Sequence, residues 1–64
     1  MLWLSEILLQ NVQMESFDQL LLAVREKARS GERFFRMDVK PPYGDTPVNW
    51  EDRLEAAFSG DPRY

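Results

Sequence analysis

The side chains that could do chemistry here are carboxylates, hydroxyls and cations, because the 64 residues include no histidine and no cysteine. Nucleophilic triads of the familiar kind and thiolate zinc sites are therefore excluded. The three glycines stand apart at 31, 44 and 60, so there is no glycine-rich phosphate loop. Hydroxyl groups remain, mostly at expected turn or helix-cap positions: Ser5, Ser16, Ser30, Tyr43, Thr46, Ser59 and Tyr64. The sequence predicts a protein that is not an enzyme and needs no cofactor.

A group of carboxylates near the C-terminal end is the other candidate for chemistry. Glu51 and Glu55 are four residues apart on a predicted helix, with Asp45 and Asp52 close in sequence. Such oxygen ligands could hold Ca²⁺ or Mg²⁺, and a buried pair could do acid–base work. The chain has no D-x-D-x-D-G loop, however, and acidic residues in the first turn of a helix complement its dipole. We interpret the group as structural, and predict no metal site.

Cations alternate with an aromatic ring in residues 33–40, where Arg33, Phe34, Arg36 and Lys40 occur together. This composition is typical of a platform that stacks single-stranded nucleic acid, or of a two-stranded ribbon that a dimer inserts into a groove. The net charge of −3 opposes phosphate binding. Charged edge strands also protect sheets from aggregation. A small nucleic-acid-linked regulator, of repressor or antitoxin type, is therefore the alternative function.

Three elements that must position these residues can be predicted from periodicity. A helix is expected from Ser16 to Arg29, with Ser16 and Gln19 as a capping box and Ser30-Gly31 as its end. Alternation over residues 33–40 indicates a strand that Pro41-Pro42 terminates. A second helix starts at Thr46-Pro47 or at Asn49, and ends at Gly60 and Pro62. The apolar faces predict a buried core that contains Phe17, Leu21, Val24, Phe35, Met37 and Leu54, with Val39 on the same face of the strand.

The apolar residues among the first fourteen fit neither the helical nor the strand period. A strand there would pair with residues 33–40 and give a β-α-β-α order with a right-handed crossover. A helix would leave the strand at 33–40 to pair with another chain. We expect the strand, and hence a small α+β fold with a minimal sheet, formed by residues 1–64 as one domain. The opening MLWLSEILLQ lacks the features of a signal peptide and is too short to span a membrane. The absence of cysteine favours the cytoplasm.

Several large side chains fall outside the stripes that would form the core. Tryptophan, tyrosine and arginine usually carry the energy of protein interfaces, and a proline-stiffened loop presents a tyrosine at little entropic cost. The sequence therefore predicts a non-enzymatic protein-binding module, a regulator or inhibitor of a larger protein, that also self-associates to complete a thin core. The expected partner-binding residues are Trp3, Leu22, Phe34, Arg36 and Tyr43.

Overall fold

Three helices and a two-stranded parallel sheet make up the computed structural model, which describes residues 1–60. The order is β1 (Leu2–Trp3), α1 (Leu4–Gln10), α2 (Phe17–Arg29), β2 (Phe35–Arg36) and α3 (Trp50–Ser59). The radius of gyration is 10.6 Å, close to the ~11 Å expected for a folded chain of this length. The prediction of a small α+β fold is confirmed.

The N-terminal segment is both a strand and a helix, which explains why its apolar residues follow neither period. Leu2 and Trp3 pair in parallel with β2, as expected for an N-terminal strand, and α1 begins at the next residue. Leu4 and Ile7 are fully buried at helical spacing. Asn11 ends the helix, because its side-chain amide donates to the Ile7 carbonyl at 2.8 Å. The observed order is therefore β-α-α-β-α, with one helix more than the predicted order.

Helix α2 forms as predicted because its signals are local. The Ser16 hydroxyl accepts the N–H of Gln19 at 3.2 Å, and the Gln19 side chain accepts the N–H of Glu15 at 2.6 Å. Gln19 thus reaches back one residue further than in an ideal capping box. At the other end, Gly31 takes a positive φ of 111° that favours glycine.

Strand β2 is much shorter than the predicted strand over residues 33–40. Its only strand neighbour within residues 1–60 is β1, which stops after two residues because α1 begins at Leu4. Beyond Arg36 the chain has no ladder to join, so Val39 is exposed and its predicted inward position is wrong. Phe35 and Met37 pack against the core but are half-buried, so their predicted burial is confirmed only in part.

Helix α3 begins at the second of the two predicted starts, after Asn49, and ends at Gly60 in the left-handed conformation. Its buried residues pack mainly against α2. The Phe58 ring stacks on Phe35 with a centroid distance of 5.2 Å, which attaches the sheet to the helices. Every element except β2 contributes buried residues to the core. These residues are Leu2, Leu4, Ile7, Phe17, Leu20, Leu21, Val24, Leu54 and Ala57. Burial of Phe17, Leu21, Val24 and Leu54 is therefore confirmed.

Candidate functional site

The carboxylates near the C-terminal end have structural positions. Asp45 accepts the backbone N–H of Phe17 at 2.9 Å and so caps α2 from a distant loop. Glu51 and Asp52 lie exposed in the first turn of α3, where negative charge is favourable. Within residues 1–60, no three acidic side chains come together in a way that could hold a metal ion.

The hydroxyl groups within residues 1–60 mostly complete local structure. Ser16 caps α2, while Ser30 and Ser59 donate to backbone carbonyls of Lys27 and Glu55 at 2.8 and 2.9 Å. Ser5 donates to Asp38 at 2.7 Å. Tyr64 lies outside the residues that the structure describes. These contacts account for the described serine hydroxyls as parts of caps and turns or as donors to a nearby carboxylate.

Trp3 and Arg36 are brought side by side by the parallel sheet. They are register partners across β1 and β2, and the guanidinium carbon of Arg36 lies 5.9 Å from the centroid of the Trp3 ring. This is a cation–π distance. Phe34 precedes Arg36 by two residues, and alternation along the chain places it on the same side. We call Trp3, Phe34 and Arg36 the outer sheet face.

The outer sheet face points away from the core because the opposite side of the sheet is apolar and packed. Leu2 and Phe35 are also register partners, and Leu2 is buried while Phe35 stacks on α3. Period-two alternation then fixes the remaining side chains on the solvent side. Phe34 is accordingly 66% exposed and Trp3 37% exposed.

Trp3 occupies a helix N-cap position, where tryptophan is an unusual residue type. It is the N-cap residue of α1, with extended φ and ψ of −105° and 135°, and its side chain makes no capping hydrogen bond. N-cap positions favour serine, threonine, aspartate and asparagine, whose side-chain oxygens accept a helix N–H. The indole N–H can only donate. A large, partly exposed aromatic residue at this position therefore gives the helix no side-chain cap.

The cap that Trp3 cannot provide comes from Asp38, just beyond β2. Its carboxylate accepts the backbone N–H of Ser5 at 3.1 Å, in the first turn of α1, as well as the Ser5 hydroxyl. The hydrogen bond from the Ser5 hydroxyl is the main reason why the pKa of Asp38 is lowered from 3.8. Asp38 is therefore ionised at neutral pH, and it fixes the chain that leaves Arg36 against α1.

The other two predicted partner-binding residues lie elsewhere. Leu22 is 58% exposed and lines a surface groove of about 330 Å³ with Asn11, Met14, Gln19, Glu26 and neighbouring residues. That groove shares no residue with the pocket of about 270 Å³ that Phe34 lines. Tyr43 is half-buried against the core, and this burial raises the pKa of its phenol. The structure thus joins three of the five predicted residues in one face.

Two further exposed apolar side chains were not singled out by the sequence. Leu9 and Val12 are 76% and 81% exposed, at the end of α1 and in the turn after it. The exposure of Leu9 could have been predicted from helical spacing, which places Leu4, Ile7 and Leu8 on one side of the helix and Leu9 outside it. The adjacency of Trp3 and Arg36 was also missed, because it depends on the register of the two strands.

No protein family, curated protein or solved structure matches the chain. Any function proposed for it therefore rests on its own residues and on the surface that they form. Within residues 1–60 there is also no helix both long and apolar enough to cross a membrane.

Proposed function

We propose that this protein is a non-enzymatic binding module that docks on a larger protein through the outer sheet face and regulates or inhibits it. The observation that carries the proposal is the exposed pair of Trp3 and Arg36 at 5.9 Å, with Phe34 two-thirds exposed beside Arg36. Aromatic residues and arginine are the types that contribute most to protein interfaces.

The outer sheet face is suited to binding because two of its residues are already ordered. Trp3 is held by the sheet register and by the start of α1, and Arg36 lies over its ring. Ordering rotamer-rich side chains on association costs about 0.5–1.5 kcal/mol each, so a side chain already held loses less. The guanidinium has five donors in a planar fork, and those not facing the ring can bind a carboxylate of the partner.

Regulation or inhibition is the role that we propose because the residues offer contact rather than chemistry. Several acidic and hydroxyl side chains within residues 1–60 are engaged in caps or in the first turns of helices: Ser16, Asp38, Asp45, Glu51 and Asp52. A chain of 7.6 kDa that docks through a rigid aromatic face acts on a larger protein by covering part of its surface. The partner's own activity would then fall or change when the face is occupied.

Nucleic acid binding is the second candidate, and one observation favours it. Phe34 is exposed between exposed Arg33 and Arg36, and base stacking uses such interleaved rings and cations. The net charge of −3 and the acidic first turn of α3 act against it. A salt titration separates the two candidates, because phosphate contacts weaken steeply with salt whereas an apolar protein interface does not.

The test is a retention experiment with four immobilised proteins and quantitative mass spectrometry of what each one captures. Wild type is compared with Trp3→Ser, with Phe34→Ser and with Val48→Ser, and the fully exposed Val48 side chain in the loop before α3 makes the last of these the matched apolar control. We expect a protein that wild type and Val48→Ser retain and that Trp3→Ser loses. If Trp3→Ser and Phe34→Ser capture the same proteins as wild type in the same amounts, the outer sheet face is not the binding surface.

A further inference from the structure

Within residues 1–60, strand β2 has an open edge, because the sheet contains two strands and β2 pairs on one side only, with β1. The N–H of Leu2 donates to the carbonyl of Phe34 at 2.7 Å. Alternate residues of a strand turn their backbone groups to the same neighbour, so Phe34 and Arg36 face β1 and Phe35 faces away from it. The N–H and C=O of Phe35 are therefore directed to the open edge.

Apolar rings border this edge. The pocket of about 270 Å³ that Phe34 lines is formed by the β2 segment on one side and by α3 on the other. Its lining residues from β2 and its flanks are Arg33, Phe34, Phe35 and Met37, and those from α3 are Glu55 and Phe58. An extended chain added at the edge would gain backbone hydrogen bonds at Phe35 and apolar contact with the rings beside it.

We propose that the occupant of this edge is a second copy of the same chain, whose β2 pairs antiparallel with the first around a two-fold axis at Phe35. An antiparallel hydrogen-bonded pair needs one donor and one acceptor from each residue, and both copies of Phe35 present these groups on the open side. A two-fold interface is self-complementary, so the N–H and C=O of Phe35 in one copy can hydrogen-bond to the C=O and N–H of Phe35 in the other. Two copies therefore pair the open edge of β2 in each other.

The side chains favour the register with Phe35 on the axis over the registers shifted by one residue. With Phe35 on the axis, Phe34 of each copy lies opposite Arg36 of the other, which gives two cation–π pairs on the outer side. Moving the axis to Arg36 would place the two copies of Arg36 opposite each other, which is unfavourable. A one-residue slip would put the half-buried Phe35 opposite the exposed Arg36, and so mix the two sides of the sheet.

The resulting sheet would have the strand order β1-β2-β2-β1, and the outer sheet faces of both copies would become continuous. Trp3 would stay on the outer strands, away from the contact between copies. Phe34 and Arg36 would belong to both contacts, whereas Trp3 belongs only to the surface of the proposed function, so Trp3 distinguishes the two proposals. Trp3→Ser tests the binding of a partner protein and leaves the edge intact, whereas the variants below test the edge.

The experiment is sedimentation equilibrium over a concentration series with wild type, Phe34→Lys and the double variant Phe34→Lys/Arg36→Glu. Wild type should dimerise. Phe34→Lys places a lysine opposite Arg36 of the second copy, and should weaken dimerisation about tenfold or more. The double variant replaces that repulsion with a lysine–glutamate pair and should recover most of the lost affinity. Val48→Lys, which adds the same charge at a fully exposed position, should dimerise like wild type.

Circular dichroism of each variant establishes that its fold is retained, as expected from the 66% exposure of Phe34. Amide exchange at Phe35, followed by NMR, should slow as the concentration of wild type increases. A wild-type chain that stays monomeric at the highest concentration would overturn the proposal. The same holds if the edge of that monomer binds a strand of a different protein. A dimer that Phe34→Lys leaves unchanged, or that the double variant fails to recover, would overturn this pairing.

Discussion

Asp38 and Ser5 are joined by two hydrogen bonds, although they are 33 residues apart: the Ser5 hydroxyl and backbone N–H donate to the two carboxylate oxygens. The pair ties the chain beyond β2 to the first turn of α1. It also supplies the capping acceptor that Trp3, the N-cap residue, lacks. One carboxylate thus holds together the helix start, the parallel register and the position of Trp3 beside Arg36.

The first prediction is that Asp38→Ala lowers the melting temperature in a pH-dependent way. The hydrogen bond from the Ser5 hydroxyl is the largest cause of the lowered pKa of Asp38. A carboxylate with a lower pKa in the folded than in the unfolded chain stabilises the fold fully above the unfolded value of 3.8, and loses this effect as the pH falls through the lowered pKa. The difference in melting temperature between wild type and Asp38→Ala should therefore be present at about pH 7 and shrink towards about pH 2.

Glu26→Ala is the control, because Glu26 is exposed on α2. Its melting temperature should follow that of wild type across the same pH range. An Asp38→Ala deficit of equal size at both ends of the range would mean that the ionised carboxylate is not what stabilises the start of α1.

The second prediction compares two neighbouring leucines of α2. Leu21 is buried and Leu22 is 58% exposed. Leu21→Ala should lower the free energy of unfolding by about 2–5 kcal/mol, enough to unfold much of so small a domain. Leu22→Ala should change it by no more than about 0.5 kcal/mol. Urea denaturation measures both, and a reversed order of the two costs would show that the helix presents the other side to the core.

Helix α2 could be predicted from the sequence because its cap, its apolar stripe and its end lie within fifteen or so residues of each other. Helix α1 could not. Its N-cap is a tryptophan, and the side chain that caps it is Asp38, which only the folded chain brings near. The length of β2 could not be predicted for the same reason, because it depends on where β1 ends.

The candidate site divides in the same way. Alternation along the chain was enough to predict that Phe34 and Arg36 lie on one side of their strand, away from Phe35. The contact between Trp3 and Arg36 requires the parallel register, in which a shift by one residue would exchange the two sides. The half-burial of Tyr43 also depends on tertiary packing, because a proline-rich loop carries no periodic signal.

The third prediction concerns Asp45, which caps α2 through the N–H of Phe17 at 2.9 Å. Asp45→Ala removes the acceptor and should cost about 0.5–2 kcal/mol, as the loss of an N-cap side chain does. Gly44→Ala is the matched control in the same loop, since a methyl group there would meet nothing within 4 Å. Thermal denaturation of both variants gives the comparison. Equal losses would assign the effect to the loop backbone rather than to the hydrogen bond.

The last prediction separates stability from binding at Trp3. Trp3→Ser removes a ring that contacts Arg36, worth about 0.5–1 kcal/mol at an exposed site. It also provides an oxygen that can accept the N–H of Glu6 and cap α1, worth about 0.5–2 kcal/mol. The two effects oppose each other, but the ring is only 37% exposed and its removal also loses apolar packing, so the melting temperature should fall by less than in Leu21→Ala. Affinity for a partner protein found by retention should nevertheless fall by about tenfold or more, as for an aromatic residue at the centre of an interface.

Trp3→Phe is the matched variant for this prediction, because it keeps an aromatic ring beside Arg36 and adds no capping oxygen. It should retain more affinity than Trp3→Ser. Isothermal titration with the isolated partner and thermal denaturation measure affinity and stability in the same samples. A stability loss of about 2–5 kcal/mol in Trp3→Ser would identify Trp3 as a core residue. Unchanged affinity in a folded Trp3→Ser would place the binding surface elsewhere on the molecule.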